Sequence, residues 1–164
     1  MNRGKTGIQN AMEIKYLGFS FYIASKKRYE IRIHPKSVKK MKDKIRKITK
    51  RSNGHGYQRL KRELNEFIRG WVNYFKVANM KTLMNETDQW LRHRIRCYIW
   101  KSWKNPRVRR RKLESLNLSK EKARMVSGSR EGLWKVSNYQ DIKRAITNKK
   151  LSRAGYPTFK QYYL

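Results

Sequence analysis

The sequence predicts a mainly α-helical protein with an N-terminal β-hairpin, a three-helix bundle and a small helical C-terminal extension. Three observations predict it. Apolar residues recur at three- and four-residue spacing over 38–48, 60–75 and 83–99, the period of a helix face. Strict alternation is confined to one short stretch, where Tyr29, Ile31 and Ile33 are separated by Glu30 and Arg32, the period of a half-buried strand. Turn residues, including Asn105-Pro106 and Gly155-Tyr156-Pro157, then break the rest into short pieces. A chain of 164 residues makes one domain or two small ones.

Residues 1–13 are polar, contain Gly4 and Gly7, and set no element. Residues 14–23 read as a first strand. Ile14 and Tyr16, then Phe19, Phe21 and Ile23, alternate with a phase shift at Gly18, which suits a bulge or a close backbone approach. Ser25-Lys26-Lys27-Arg28 forms the turn to the second strand. A lone hairpin is marginal in water, so this one must dock onto the helices. His34-Pro35 ends it and opens the first helix, with Val38, Met41, Ile45 and Ile48 on one face. Lysine and arginine cover nearly everything else on that helix, and Asp43 alone offsets them.

Ser52-Asn53-Gly54-His55-Gly56 is a loop before a second helix over 57–76. Its apolar stripe is Leu60, Leu64, Phe67, Ile68, Trp71 and Phe75. Gly70 sits in the middle, where it costs about 1 kcal/mol against alanine. Such a glycine invites a close neighbour, either another helix or a phosphate. Arg69 and Asn73 flank it, off the stripe. A third helix spans 81–104, with Leu83, Trp90, Leu91, Tyr98 and Ile99 toward the core. Asn105-Pro106 stops it, and 107–112 is almost solid positive charge. Leu113 and Leu116 mark a short helix. Ser119 caps another that ends at Gly128, and 129–136 is a connector. Ser137 to Gln140 fits a capping box for one more helix carrying Ile142, Ala145, Ile146 and Leu151. The aromatic residues of 158–164 pack rather than float.

The charge restricts function. Lysine and arginine number 43 against 11 acids, a net charge of +32 that opposes compaction. A polyanion is the natural partner, and nucleic acid is the commonest one. The basic residues alternate with Trp, Tyr and Leu, so this is a folded basic protein and not a disordered arm. There is no apolar run long enough to span a membrane and no signal-peptide core, so no membrane partner is expected. One cysteine, Cys97, excludes an internal disulfide and a multi-cysteine zinc module, and it fits a reducing compartment.

The residues offer no reaction centre. Two-metal chemistry needs converging acids. Glu86 and Asp88 point apart on a helix, while Glu63 and Glu66 lie among Arg59, Arg62 and Arg69 as ordinary ion-pair partners. His93 and Cys97 are four apart, half of a zinc site at best, and the remaining histidines sit in loops. No catalytic residue, metal site or cofactor is therefore expected. What remains is lysine and arginine to hold phosphates, with tryptophan and tyrosine to stack on unpaired bases. Most of the tryptophans fit helical core positions. Trp100 and Trp134 do not, which leaves them as candidates for stacking.

Four stretches carry a family resemblance. They are Tyr16-Leu17-Gly18-Phe19-Ser20-Phe21; Ile68-Arg69-Gly70-Trp71-Val72-Asn73-Tyr74-Phe75; the run from Trp90 to Lys104 with its Arg-x-Arg and Trp-Lys-x-Trp-Lys patterns; and Ser129-x-x-Gly132-x-Trp134 followed by Ser137-Asn138 and Thr147-Asn148. In this order they resemble the C-terminal part of a bacterial group II intron reverse transcriptase/maturase, covering residues 14–164. The resemblance implies a palm-edge hairpin over 1–34, a three-helix thumb or X domain over 35–104, and the basic helical end of the maturase-specific domain over 105–164. It implies binding of group II intron RNA for splicing, and of an RNA/DNA template–primer duplex during reverse transcription, in the bacterial cytoplasm. The fingers, most of the palm and the Tyr-Ala-Asp-Asp motif are absent, so the expectation is a truncated or split product without polymerase activity. The first reading is an RNA-binding module that assists intron splicing. The alternative is a reverse transcriptase thumb that is inactive without a separate palm and fingers chain. The candidate RNA contacts are Arg69, Asn73, Lys76, Arg92, Arg94, Arg96, Trp100, Lys101, Lys104, Arg109, Arg110, Arg111, Arg130 and Trp134.

Overall fold

The computed structural model describes residues 16–23, 28–50, 52, 54 and 56–163. The expected turn at Ser25 to Lys27, the strand start at Ile14, and Asn53 and His55 lie outside the described residues. Two antiparallel strands, β1 (Phe19–Ile23) and β2 (Tyr29–Ile33), pair in the register Phe19 to Ile33 through Ile23 to Tyr29. Three long helices follow: α1 (Pro35–Ile48), α2 (Tyr57–Phe75) and α3 (Lys81–Ser102). Six shorter ones complete the order: α4 (Pro106–Ser115), α5 (Lys120–Ser127), α6 (Leu133–Val136), α7 (Gln140–Ala145), α8 (Asn148–Arg153) and α9 (Lys160–Tyr163). This is the mainly α architecture, hairpin first, that the periodicities predict.

The first strand is shorter than expected, for a backbone reason. Leu17 and Gly18 both have positive φ, 49° and 88°, and Tyr16 exchanges backbone hydrogen bonds with Phe19 across them at 3.1 and 2.8 Å. Two positive φ values in succession make a tight two-residue turn, not a bulge. Gly18 also locks the hairpin to the helices. Its carbonyl accepts from the His34 backbone N–H at 2.9 Å and from the Ser37 hydroxyl at 3.0 Å. Phe19 packs against Tyr74 and Phe75 of α2, with ring centroids 5.9 and 5.0 Å away. This is the docking that an isolated hairpin requires.

The helices bury one contiguous core. α1 contributes Met41, Ile45 and Ile48; α2 contributes Leu60, Leu64, Ile68, Val72 and Phe75. The α2 stripe is therefore centred on Ile68 and Val72. Phe67 and Trp71, expected in its middle, sit half-buried at its edge. Trp71 instead meets Phe75 at 4.7 Å and Phe159 of the C-terminal segment at 5.6 Å. The segment after Gly155 packs as expected: Phe159 is fully buried, and α9 lies against α2 and α3.

α3 is buried on more than one side. Met84, Leu91, Ile95 and Tyr98 are inside, but so are Arg92, Arg96, Cys97 and Trp100, because α6 and α9 also pack on this helix. Two local expectations change in the C-terminal part. Ser137 is the C-cap of α6 and donates its hydroxyl to the Trp134 carbonyl at 2.9 Å, so it does not build a capping box on α7. The helix expected from Ile142 to Leu151 is two helices. Ile146 leaves helical geometry at φ −110° and ψ 73°, and Thr147 restarts the chain by accepting from Lys150 N–H at 3.2 Å.

Two glycines give opposite expectations. A Cβ on Gly18 would lie 2.9 Å from Ser37 Oγ on a backbone at φ 88°, so Gly18→Ala should destabilise by about 1–3 kcal/mol. A Cβ on Gly70 meets no atom within 4 Å, so no helix of the described residues takes up the close approach the sequence invites there. Gly70→Ala should therefore stabilise by up to about 1 kcal/mol. Urea denaturation of both variants checks the pair, and a destabilised Gly70→Ala would contradict this packing.

Candidate nucleic-acid interface

Lys42 and Arg46 lie one turn apart on α1, and Trp90 and Arg94 lie one turn apart on α3. The seam between these helices brings all four together. Lys42 Nζ, Arg46 Cζ and Arg94 Cζ stand 5.9, 5.6 and 5.4 Å from the centroid of the Trp90 ring. The electron-rich face of the indole attracts each cation and partly offsets their mutual repulsion. Asp43 adds an ion pair to Arg46 at 2.6 Å. Arg94 is fixed by the end of α1: its Nε donates to Thr49 Oγ1 at 2.7 Å and its Nη2 to the Arg46 carbonyl at 3.4 Å. The Thr49 hydroxyl in turn donates to the Ile45 carbonyl at 2.6 Å. A cation at a helix C-terminus is favoured by the partial negative charge of the free carbonyls.

Next to this seam, α3 and the segment from α6 to α8 enclose a cleft of about 620 Å³, lined by Trp90, Arg92, His93, Arg96, Lys143 and Asn148 among others. Burial pushes the pKa of Arg92 and Arg96 down, and the charge of Arg92 adds to the effect on Arg96. His93 ties the far wall to α3. Its Nε2 lies 2.8 Å from the Trp134 carbonyl and 3.1 Å from Ser137 Oγ, and its ring lies against the Trp134 indole, tilted by 32° with centroids 3.6 Å apart. With a carbonyl as partner, Nε2 is the protonated nitrogen of the neutral ring. Burial holds the imidazole below its ordinary pKa range, opposed by the Trp134 carbonyl and reinforced by Lys143, Arg96 and Arg94.

The candidate contacts divide into three groups. Arg69, Asn73 and Lys76 are exposed along one edge of α2, as are Lys101, Lys104, Arg110, Arg111 and Arg130 on later elements. Arg110 is engaged by Glu114 at 2.9 Å. Arg94 and Arg109 are half-buried. Arg109 donates from Nε to the Trp103 carbonyl at 3.0 Å and covers the Trp100 ring at 4.7 Å. Three assignments need correction. Trp100 is 1% exposed beneath Arg109 and Trp103, so it has no face open to a base. Arg92 and Arg96 are buried and hold neighbouring helices, so neither is an open surface contact. Trp134 remains 44% exposed, with one face on His93.

Lys42, Arg46, Trp90, His93 and Lys143 were missed as a group. The only sequence signal was the four-residue spacing of Lys42 with Arg46 and of Trp90 with Arg94; nothing local joins 42–46 to 90–94. The carboxylates have structural roles. Asp88 accepts from the backbone N–H of Phe159 at 2.7 Å and of Lys160 at 3.2 Å at the start of α9, and Glu63 pairs with Arg59 at 2.7 Å. Among the described residues, no three His, Cys, Asp or Glu side chains gather to hold a metal, and no helix is long and apolar enough to cross a membrane.

Residues 38–116, from α1 through the end of α4, match the family model of the group II intron, maturase-specific domain. A search of curated proteins returned no match.

The His93 contact predicts a pH dependence. Its folded pKa lies below the unfolded value of about 6.5, so its contribution to stability is present above that pH and lost as pH falls through the folded pKa. The melting temperature should therefore fall more steeply between pH 7 and 5 in the native protein than in His93→Gln, which has no proton to gain. Asp88 works in the opposite direction. Burial raises its pKa, so its contribution is present at low pH and lost as pH rises; it is common to both proteins and cancels in the comparison. Equal slopes for the two proteins would show that His93 does not titrate against the Trp134 contact.

Proposed function

With residues 38–116 a group II intron maturase-specific domain, we propose that this chain binds group II intron RNA and assists its splicing, the bond chemistry remaining with the RNA. The observation that supports this best is the α1–α3 seam, inside the matched residues, where Lys42, Arg46 and Arg94 are held together on Trp90. Eleven acids can neutralise at most eleven of the 43 cations, so a net charge of +32 is left to counterions or phosphates. Binding RNA releases counterions from both partners and relieves that repulsion. A structured intron crowds phosphates together, and a rigid cationic surface lowers the cost of its compact fold. In this reading residues 35–104 are the thumb-like unit, and the exposed α2 edge of Arg69, Asn73 and Lys76 offers further phosphate contacts.

The second reading, a thumb working beside a separate palm, draws on one feature. Tyr16, Leu17 and Tyr29 of the hairpin are 63–65% exposed, and Tyr74 and Val77 of the neighbouring α2 end are exposed too. A partner chain covering the hairpin would bury them.

Salt dependence tests the first reading. Affinity for group II intron RNA should exceed that for duplex DNA of equal length and fall about tenfold or more between low and physiological salt. Combining Lys42→Ala with Arg46→Ala should weaken binding and lower the slope of log affinity against log salt by about 2, one per phosphate contact. Splicing of the intron at limiting Mg²⁺ should quicken when the protein is added, and less so with the double variant. An unchanged slope would remove the seam from the interface.

A further inference from the structure

Arg92 and Arg96 stand one turn apart on α3, and both are nearly closed off from solvent, at 5% and 6% exposure. Their partners are neutral. Arg92 Nη2 donates to Ser152 Oγ at 2.9 Å, while Arg96 Nε and Nη2 donate to the Ile146 carbonyl at 2.8 Å and to Asn148 Oδ1 at 2.6 Å. Among the described residues no carboxylate reaches ion-pair distance of either guanidinium. The remaining terminal nitrogen of Arg92, Nη1, is buried without an acceptor. The charge of Asp88, one turn before Arg92 on α3, offsets part of the Arg92 charge, whereas Arg96 has only the like charge of Arg92 acting on it. Two like charges in a poorly hydrated site with one partial offset are costly unless a further anion completes them.

Both residues line the 620 Å³ cleft between α3 and the α6–α8 segment; Lys143 adds a third cation there, and Glu86 is the one acid in its lining. We propose that this cleft is a phosphate-binding pocket that takes one phosphoryl group, with room for the attached nucleotide. Guanidinium forks match the oxygen spacing of phosphate, and a phosphoryl group offers enough acceptors to meet Lys143 and the cleft-lining arginines together. The pocket deepens the RNA-binding reading and rests on it only for the source of the phosphate, which is an internal phosphodiester or a terminal monoester.

Inorganic phosphate is the first probe, titrated into the full chain at constant ionic strength against chloride. The melting temperature should rise with saturation in native protein. Lys143 is half-buried at the cleft, so Lys143→Gln should keep the unliganded melting temperature and weaken phosphate binding about tenfold, the scale of one charge-assisted contact. Lys122→Ala removes an equal charge from the exposed face of α5 and should leave the phosphate response intact. A response that falls equally in both variants, or no response beyond chloride, overturns the pocket, because general screening of the net charge would then explain it. RNA oligonucleotides with a 5′-monophosphate or a 5′-hydroxyl then separate the sources. A Lys143→Gln loss for both points to an internal phosphodiester, and a loss for the 5′-monophosphate alone points to a chain end. A saturable, Lys143-dependent phosphate response without RNA binding by native protein would keep the pocket and sink the RNA reading.

Discussion

Basic side chains seated on helix C-termini hold this molecule together. Arg94 donates to the Arg46 carbonyl at the end of α1, and Arg109 to the Trp103 carbonyl at the end of α3. Lys150 Nζ reaches the Leu116 carbonyl that closes α4, at 3.0 Å, and the Ala145 carbonyl at the end of α7, at 2.9 Å. Arg96 takes the Ile146 carbonyl beside it. Each bond satisfies a carbonyl left over by the helix and sets a cation against the negative end of the helix dipole, and those from Arg94, from Arg96 and from Lys150 to Leu116 join elements distant in sequence. In a chain with four times as many cations as acids, carboxylates are too few for this work, and free carbonyls take it over.

The same economy shapes the surface. Several of the few acids are engaged locally, Asp43 with Arg46, Glu63 with Arg59 and Glu114 with Arg110, while Asp88 reaches across to the backbone at the start of α9. The remaining cations keep their charge, and the fold determines which of them stand together. At the α1–α3 seam an aromatic face lets three approach one ring. At the neighbouring cleft, the α6–α8 segment closes over two arginines of α3. A positive surface of this kind is fixed by packing, so it meets a structured polyanion with little ordering left to do.

Hydrophobic period made α1, α2 and α3 legible, since Met41, Ile45, Leu60, Leu64, Ile68 and Leu91 each sit where a 3.6-residue repeat puts them. The Tyr29-Ile31-Ile33 alternation made β2 legible in the same way. Local chemistry was a poorer guide where two readings fit one pattern. Gly18 reads as a bulge or close approach, and the chain turns there, closed by hydrogen bonds between Tyr16 and Phe19; Ser137 reads as the cap of the helix after it, and it closes the helix before it through the Trp134 carbonyl. The Arg-Gly-Trp-x-Asn-Tyr-Phe block that carries the family resemblance, residues 69–75, lies inside residues 38–116, which match the model of the group II intron maturase-specific domain.

The sequence by itself determined the class of fold, the excess of positive charge and the helices that carry it, because period and composition are local quantities. Only the tertiary structure decided which cations are surface and which are interior. Arg69 and Arg96 look alike along the chain. One lies on an open edge of α2, while the other lies on a face of α3 that α6–α8 covers. Trp100, off the core by period, is buried beneath Arg109 and Trp103, and Trp90 keeps one side on the core while cations gather over its ring. The burial of Arg92 and Arg96 and the tether of His93 depend on segments 40 to 60 residues away, those holding Ser152, Ile146 and Trp134, and no helical period in α3 records their arrival.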